Sequence, residues 1–390
     1  MPIQLADLPS RLAFDLHRAR TELLSFTTWT KPDFQVGRHH KIMCRWLDRL
    51  AAGVVKRLMI FAPPRHTKSE LVSRRLPAFY LGKNPKEEVV LATYGADLAN
   101  RMNRDVQRII DDPKYRQVFP GIRLPVPGER TRGRWGGNKP KRTDSYFELV
   151  GRKGCLRSAG VGGGITGMGF HLGIIDDPLK NFEEAYSPVI RDKLDEWYAS
   201  TFWTRQAKDA KILVTMTRWH HDDIAGRLID RMHEDQDADQ WVVIRLPAVA
   251  DDNLWSEDDR EIGEVLWPER FDERFMQQAK GALGSVLFTG LYQQTPLQEG
   301  GNYFKSFWFD QSFRDAGEFW DVDKRGPVGK LQCPVFMTVD PAANEKRAAD
   351  YTAIGVFAQT PWNDLLVLDM IRERLPLEGI AKKMLEVSQK

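Results

Sequence analysis

Apolar runs that stop in loops alternate with helical periodicity from residue 54 to residue 250, and no other feature of this 390-residue chain restricts its fold as much. VVKRLMIFA (54–62) reads as a buried strand, and SELVSRRL after it as a helix start that Pro77 bends. EVVLATY (88–94) is a second strand, followed by GADLANRMNRDVQRIIDD with Leu98, Met102, Val106 and Ile109 at helical spacing. SYFELVG and CLRSAGV suggest a hairpin, GVGGGITGMGF a glycine-rich turn, and HLGIIDDP a short strand ending in acids. Residues 188–206 read as a helix, KILVTMT (211–217) as a strand, DDIAGRLIDRMHE as a helix and WVVIRLPAV as a strand. Such alternation implies an α/β fold with a mostly parallel sheet and helices on both faces.

Length and composition set the frame around that core. At roughly 100–200 residues per domain, the chain holds two or three domains. After residue 296 the texture becomes aromatic and irregular, so we expect a first domain over 1–296, a linker over 297–329, and a last segment over 330–390. CPVFMTVDPA, YTAIGVFAQ and DLLVLDMIRE in that segment read as three strands, and LEGIAKKMLEVSQK as a helix. No apolar run reaches the ~18 residues of a membrane span. The amino terminus has no signal-peptide core, so export is not expected. Cys44, Cys155 and Cys333 lie far apart, which argues against a disulfide framework or structural zinc. A net charge of +3 neither demands nor excludes nucleic acid. RTRGRWGGNKPKR (130–142) packs six cations without an acid; it reads either as a loop that meets phosphates or as a solvated surface loop.

The chemistry begins in FAPPRHTKSE (61–70), which approaches the phosphate-loop pattern G-x-x-x-x-G-K-S/T but has Ala62 and Thr67 where the glycines belong. Lys68 and Ser69 are intact. Lysine followed by serine also suits an ordinary helix start, so the loop needs a partner. GIIDDP supplies one: Asp176 and Asp177 stand at the carboxyl end of a strand, where a doubly wound sheet places its ligand. Asp176 would take the Mg²⁺ water shell and Asp177 the position of the acid that polarises water. Thr215 and Thr217 end the next strand, with hydroxyls able to sense a γ-phosphate. His220, His221, Asp222 and Asp223 resemble metal ligands, but neighbouring residues point in different directions, and helix capping by the aspartates is the simpler reading. Asp340 closes a strand before a hairpin or meander, either as a turn-forming Asp-Pro or as a nuclease carboxylate; Asp350 and Asp369 are further acids nearby.

Together APPRHTKSE, GGGITGMGFHLGIIDDPLKN, ILVTMTRWHHDDIAGRL, LYQQTPLQEGGNYF and TVDPAANEKRAADYTAIG resemble, in that order and across residues 35–390, the large subunit of the tailed-phage terminase. The resemblance implies a P-loop ATPase of the additional-strand class followed by an RNase H-like domain that is incomplete in this sequence. It implies ATP and Mg²⁺ as cofactors, with Mg²⁺ or Mn²⁺ for the nuclease. Its implied partners are double-stranded DNA, a terminase small subunit, the portal of a prohead and further copies in a ring, in the cytoplasm of an infected bacterium. By position, Arg65, His66, Thr67, Lys68, Ser69 and Glu70 would surround nucleotide, Ser69 and Asp176 would hold Mg²⁺, Asp176 and Asp177 would form the acidic pair, and Thr217 would lie in the coupling motif. Arg152 and Arg157 are candidates for the arginine that stabilises the transition state, acting in the same or a neighbouring subunit. Asp340 would be the first nuclease metal ligand and Asp369 a nearby contributor. With the family's second and third acids missing from the sequence, the expectation is ATP hydrolysis with little or no DNA cleavage. The alternatives are a helicase-like remodelling ATPase, whose second domain should be another ATPase-like core, and a binding module without turnover. One local expectation follows from Thr67: if its φ is positive, the loop carries strain that glycine would relieve.

Overall fold

Helices α1 (Ser10–Thr21), α2 (Leu23–Thr30) and α3 (Arg38–Ala51) precede strand β1 (Arg57–Phe61). After the loop at 62–69 come a π-helical turn (Glu70–Arg75), α4 (Leu76–Lys83), β2 (Glu88–Thr93), α5 (Ala96–Asp111) and α6 (Pro113–Val118). Next are β3 (Tyr146–Glu148), β4 (Cys155–Gly160), β5 (Phe170–Asp176), α7 (Phe182–Tyr186) and α8 (Pro188–Trp197). This part closes with β6 (Gln206–Met216), α9 (Ile224–Glu234), β7 (Val242–Arg245) and α10 (Glu273–Leu291). The structure, a computed structural model, describes residues 10–126, 140–165, 167, 169–297, 313–341, 351–373 and 375–389. Its backbone divides into two units, Met1–Glu299 and Gly300–Lys390.

Among the described residues the first unit has a seven-stranded sheet in the order β3-β4-β2-β5-β6-β1-β7. Only β3 runs antiparallel, forming the expected hairpin with β4. Because both faces are covered, the middles of the long parallel strands are apolar on both sides instead of alternating. Leu58, Ile60, Val89, Leu91, Ile174 and Leu213 face one core, built with α1 to α6. Met59, Phe61, Val90, Ile175, Ile212 and Val214 face the other, with α7, α8 and α9. Each such Leu, Ile or Phe contributes about 1.5–3 kcal/mol through burial, and period-two alternation within β1 and β6 divides the contribution between the two faces.

Pro77 acts differently from a simple bend. Lacking an N–H, it cannot bond back to Ser73 and its ring would press on that carbonyl. The turn before it widens to π geometry, in which Leu76 N–H donates to Leu71 O. The helix expected over 188–206 also breaks: it loosens and then tightens through Tyr198–Phe202 and Trp203–Arg205 because Gln206 already pairs with Phe170 in the sheet. In α10 the chain kinks at Gly284, whose φ of 71° and ψ of 171° favour a residue without a Cβ.

The second unit holds β8 (Phe313–Ala316), β9 (Phe319–Val322) and β10 (Gly326–Gly329) in one antiparallel sheet, and β11 (Val335–Asp340), β12 (Thr352–Gln359) and β13 (Leu365–Glu373) in another, followed by α11 (Leu377–Ser388). The linker expected over 297–329 is therefore corrected for 313–329, which is a meander with its own buried side. Trp320, Val322 and Val328 from that meander join Cys333, Ala358 and Leu366 in one small core. The remainder, 298–312, lies outside the described residues.

Candidate active site

The parallel strands deliver their carboxyl ends to one edge of the sheet, where Phe61 is level with Met216, Ile60 with Thr215, and Asp176 with both Thr215 and Thr93. A cleft of about 530 Å³ opens above this edge. Arg65, Lys68, Arg74, Lys180 and Arg270 line it against two acids, Glu70 and Asp177, with Tyr94, Thr217 and Trp219 on its walls. That excess of cations suits a polyanion.

At its base, Lys68 is buried and its Nζ lies 2.9 Å from Asp177 Oδ2. The other oxygen of Asp177 accepts from the Thr217 amide at 3.0 Å and from the Thr217 hydroxyl at 3.3 Å. Asp177 has a φ of 45°, a left-handed value that Asp tolerates better than most residues. This turn lifts Asp177 to the cleft while Asp176, the last residue of β5, stays beneath it. Asp176 is fully buried, and its Oδ2 accepts from Ser73 Oγ at 2.6 Å. Its Oδ1 is buried without a hydrogen-bond partner. Burial and the neighbouring Asp177 charge push the Asp176 carboxyl up to about 6, against the pull of Lys68, Ser73 and Ser69. An orphaned carboxylate oxygen beside a serine is a fitting partner for a hydrated Mg²⁺, which needs one or two carboxylates and otherwise keeps water and phosphate ligands. Among the described residues, no cluster of three or more His, Cys, Asp or Glu side chains forms a metal cage.

The loop has two left-handed residues, Arg65 at φ 65° and Thr67 at φ 56°. For a β-branched threonine this is a strained conformation, costing on the order of 1–3 kcal/mol. The Thr67 hydroxyl meets His40 Nε2 at 2.5 Å. The other ring nitrogen, Nδ1, accepts from the Gly37 amide at 2.8 Å. Burial holds His40 down to about 4, so the neutral ring carries its proton on Nε2 and donates it to Thr67. Trp267 packs edge-on against His39 and His40, with ring centres 5.1 and 4.9 Å away. The Arg270 guanidinium lies 5.1 Å from the Trp267 ring and 5.5 Å from that of Phe271.

Lys68, Asp176, Asp177 and Thr217 thus lie together at the carboxyl edge of the sheet, and Arg65, Thr67, Ser69 and Glu70 line the same cleft. Glu70 is engaged by Arg75 at 2.9 Å. His66 is corrected: its ring is buried under the loop, with Nδ1 2.9 Å from Pro64 O and the Phe271 ring 4.8 Å away. Burial also pushes His66 down to about 4, so it is a neutral packing residue. Arg152 and Arg157 do not line the cleft of their own chain. Arg152 precedes β4 and therefore stands at the opposite edge of the sheet; Arg157, within β4, lies over the Tyr146 ring at 5.4 Å. The His220–Asp223 cluster is resolved as capping: Asp223 accepts from Gly226 N at 2.9 Å and pairs with Arg218 at 2.7 Å.

In the second unit, Asp340 ends β11 and is exposed. Asp340 pairs in register with Ala353, whereas Asp369 pairs with Val356 across the other edge of β12. Ala353 and Val356 are an odd number of residues apart, so the two acids point to opposite faces of the sheet. Asp369 is accordingly not a partner of Asp340 in one metal site. Asp350 and most of the basic stretch 130–142 lie outside the described residues.

Sequence reasoning missed Ser73, Tyr94, His40, Trp267 and Arg270. Tyr94 had a signal, its place just after a parallel strand; the others come from segments that meet only in the folded chain.

The model of the family described as terminase large subunit, T4likevirus-type, N-terminal, matches residues 59–311. Among solved structures, the chain is similar to the HK97 bacteriophage large terminase at 14% identity, covering 86% of this chain and 63% of that one, with a TM-score of 0.41. It is similar to the ATPase domain of the Thermus phage P74-26 large terminase, in a mutant form, at 13% identity, covering 70% and 98%, with a TM-score of 0.39. The large terminase of a thermophilic bacteriophage in complex with ATP-γ-S matches at 8% identity, covering 88% and 73%, with a TM-score of 0.34. No curated protein matches the chain.

Proposed function

The chain belongs to the terminase large-subunit family, and from that premise we propose that it hydrolyses ATP in the cleft beyond β1 and uses the cycle to move double-stranded viral DNA into a prohead. The observation that carries this reading is the continuous contact from Lys68 through Asp177 to Thr217, beside the orphaned oxygen of Asp176. In this reading Lys68 meets the β- and γ-phosphates and in doing so releases the Asp177 carboxylate. Asp177, still held by Thr217, orients the attacking water. Ser69 and Asp176 would hold Mg²⁺, which would neutralise charge on the phosphates. Thr217 then reports the loss of the γ-phosphate to the strand end that carries it. The partners are a prohead portal, a terminase small subunit and further copies of the chain.

Arg270, braced over Trp267, and the exposed Arg65 add positive charge for the phosphate tail within one chain, beside Arg74 and Lys180. Arg270→Ala is expected to raise KM for ATP ~10-fold, the effect of losing one charged hydrogen bond. Phosphate release measured against ATP concentration checks it; an unchanged KM would leave Arg65 as the sole candidate of the two. For the second unit, an antiparallel meander β11–β12–β13 ending its first strand in Asp340 supports an RNase H-like assignment. The helicase reading gains nothing from this unit, whose described strands form small antiparallel sheets and not a second ATPase-like core. The two readings separate experimentally: a packaging motor protects duplex DNA from nuclease inside proheads when ATP is present, and a helicase separates the strands of a forked duplex.

A further inference from the structure

We infer that His40 is a positioning residue for the phosphate loop: it clamps Thr67 in the left-handed conformation that glycine would adopt unaided, and turns the Thr67 hydroxyl proton toward a nucleotide phosphate. This rests on the proposed nucleotide site and specifies how the site works without its glycine. Three observations carry it. Thr67 has a φ of 56°. Its Oγ1 is 2.5 Å from His40 Nε2, and the Gly37 amide occupies His40 Nδ1 at 2.8 Å, which leaves Nε2 as the donor. Thr67 also lines the cleft, so its hydroxyl accepts from His40 behind the loop and has its own proton to give on the other side. Trp267 and Phe34 pack against the His40 ring with centres 4.9 and 4.8 Å away and fix its plane. A hydroxyl donor here does part of the work that backbone amides do in a glycine loop.

The test uses the full chain, Mg²⁺ and ATP. Thr67→Val keeps the shape and the β-branch but has no hydroxyl, and is expected to raise KM and the equilibrium Kd for ATP about tenfold, with the larger effect on KM than on kcat. Thr67→Ser should stay close to the parent. His40→Phe should match Thr67→Val, and the double variant should be no worse than either, because both break one contact. In Thr67→Gly, which needs no clamp but also has no hydroxyl, ATP affinity should fall no further than in Thr67→Val, and adding His40→Phe should change it less than about twofold. His40→Gln, which returns a donor, should recover part of the loss. Equal effects of His40→Phe in the parent and in the Thr67→Gly background, or a Thr67→Val variant indistinguishable from the parent, would overturn the inference. If the parent binds no ATP at all, the proposed function fails separately; amide exchange of residues 64–70 then decides the clamp, which predicts faster exchange on His40→Phe in the parent and no change on His40→Phe in the Thr67→Gly background.

Discussion

Lys68→Ala is expected to lower kcat/KM for ATP by at least ~10²-fold, the scale on which a single preorganised donor to developing charge acts. Steady-state phosphate release by the full chain measures it. Lys68 is buried at the only point where the loop touches the acidic pair directly by an ion pair among the described residues, with Nζ 2.9 Å from Asp177. Its loss removes the cation that would meet the phosphates and leaves two adjacent carboxyls with less to balance them. Lys68 is one of the groups that restrain the Asp176 carboxyl, so without it Asp176 should hold its proton to still higher pH. Lys68→Arg is not a safe control, because a planar guanidinium cannot replace a compact ammonium in a buried slot. Turnover at the parental rate in Lys68→Ala would remove this cleft from the reaction.

Asp176→Asn should separate stability from activity. Burial raises the Asp176 carboxyl from its ordinary 3.8 to about 6 in the folded chain. Between these values the folded state holds a proton that the unfolded chain has released, so the stability from that proton is complete below about pH 4 and is lost as pH rises through 6. The difference between the two values corresponds to about 3 kcal/mol. Asparagine does not titrate, so the stability of Asp176→Asn relative to the parent should grow by up to about 3 kcal/mol from about pH 4 to about pH 7 in chelator, on top of any constant cost of burying the amide. ATP turnover should fall by about 10²-fold or more, since a neutral amide gives a divalent cation no charge to hold. Urea unfolding of both proteins across that pH range reads the first effect. A pH-independent difference would mean that the buried carboxylate is already compensated.

The sheet was legible because parallel strands buried on both faces carry continuous apolar runs, and VVKRLMIFA, EVVLATY and HLGIIDDP each hold one, LMIFA, VVLA and LGII. Where a strand leaves the core the signal fades: the first half of β6 carries Lys208 and Asp209 at exposed positions, so the apolar pattern starts only at Lys211 while the strand starts at Gln206. The meander at 313–329 escapes the pattern because its four-residue strands bury only Trp320, Val322 and Val328 firmly. In the site, Asp176, Asp177 and Thr217 can be found because each lies at or just beyond a strand end, where sequence position fixes location, and Lys68 because it closes the loop that leaves β1. Ser73 cannot, since it reaches Asp176 across 103 residues of chain and only by virtue of the π turn forced ahead of Pro77. His66 misleads for a related reason: membership of the loop does not say which side of it a ring will take. Arg152 shows the complementary error, for a residue near a functional turn in sequence can stand at the far end of the strand that leads to it.

ATP turnover in this cleft, on the proposed function, drives duplex DNA into a prohead, and the most direct test is nuclease protection of duplex DNA mixed with matched proheads, small subunit and the full chain. The expected result is protected DNA with ATP, none with a non-hydrolysable analogue, and none with Lys68→Ala. Protection that persists with the analogue or with Lys68→Ala would contradict it.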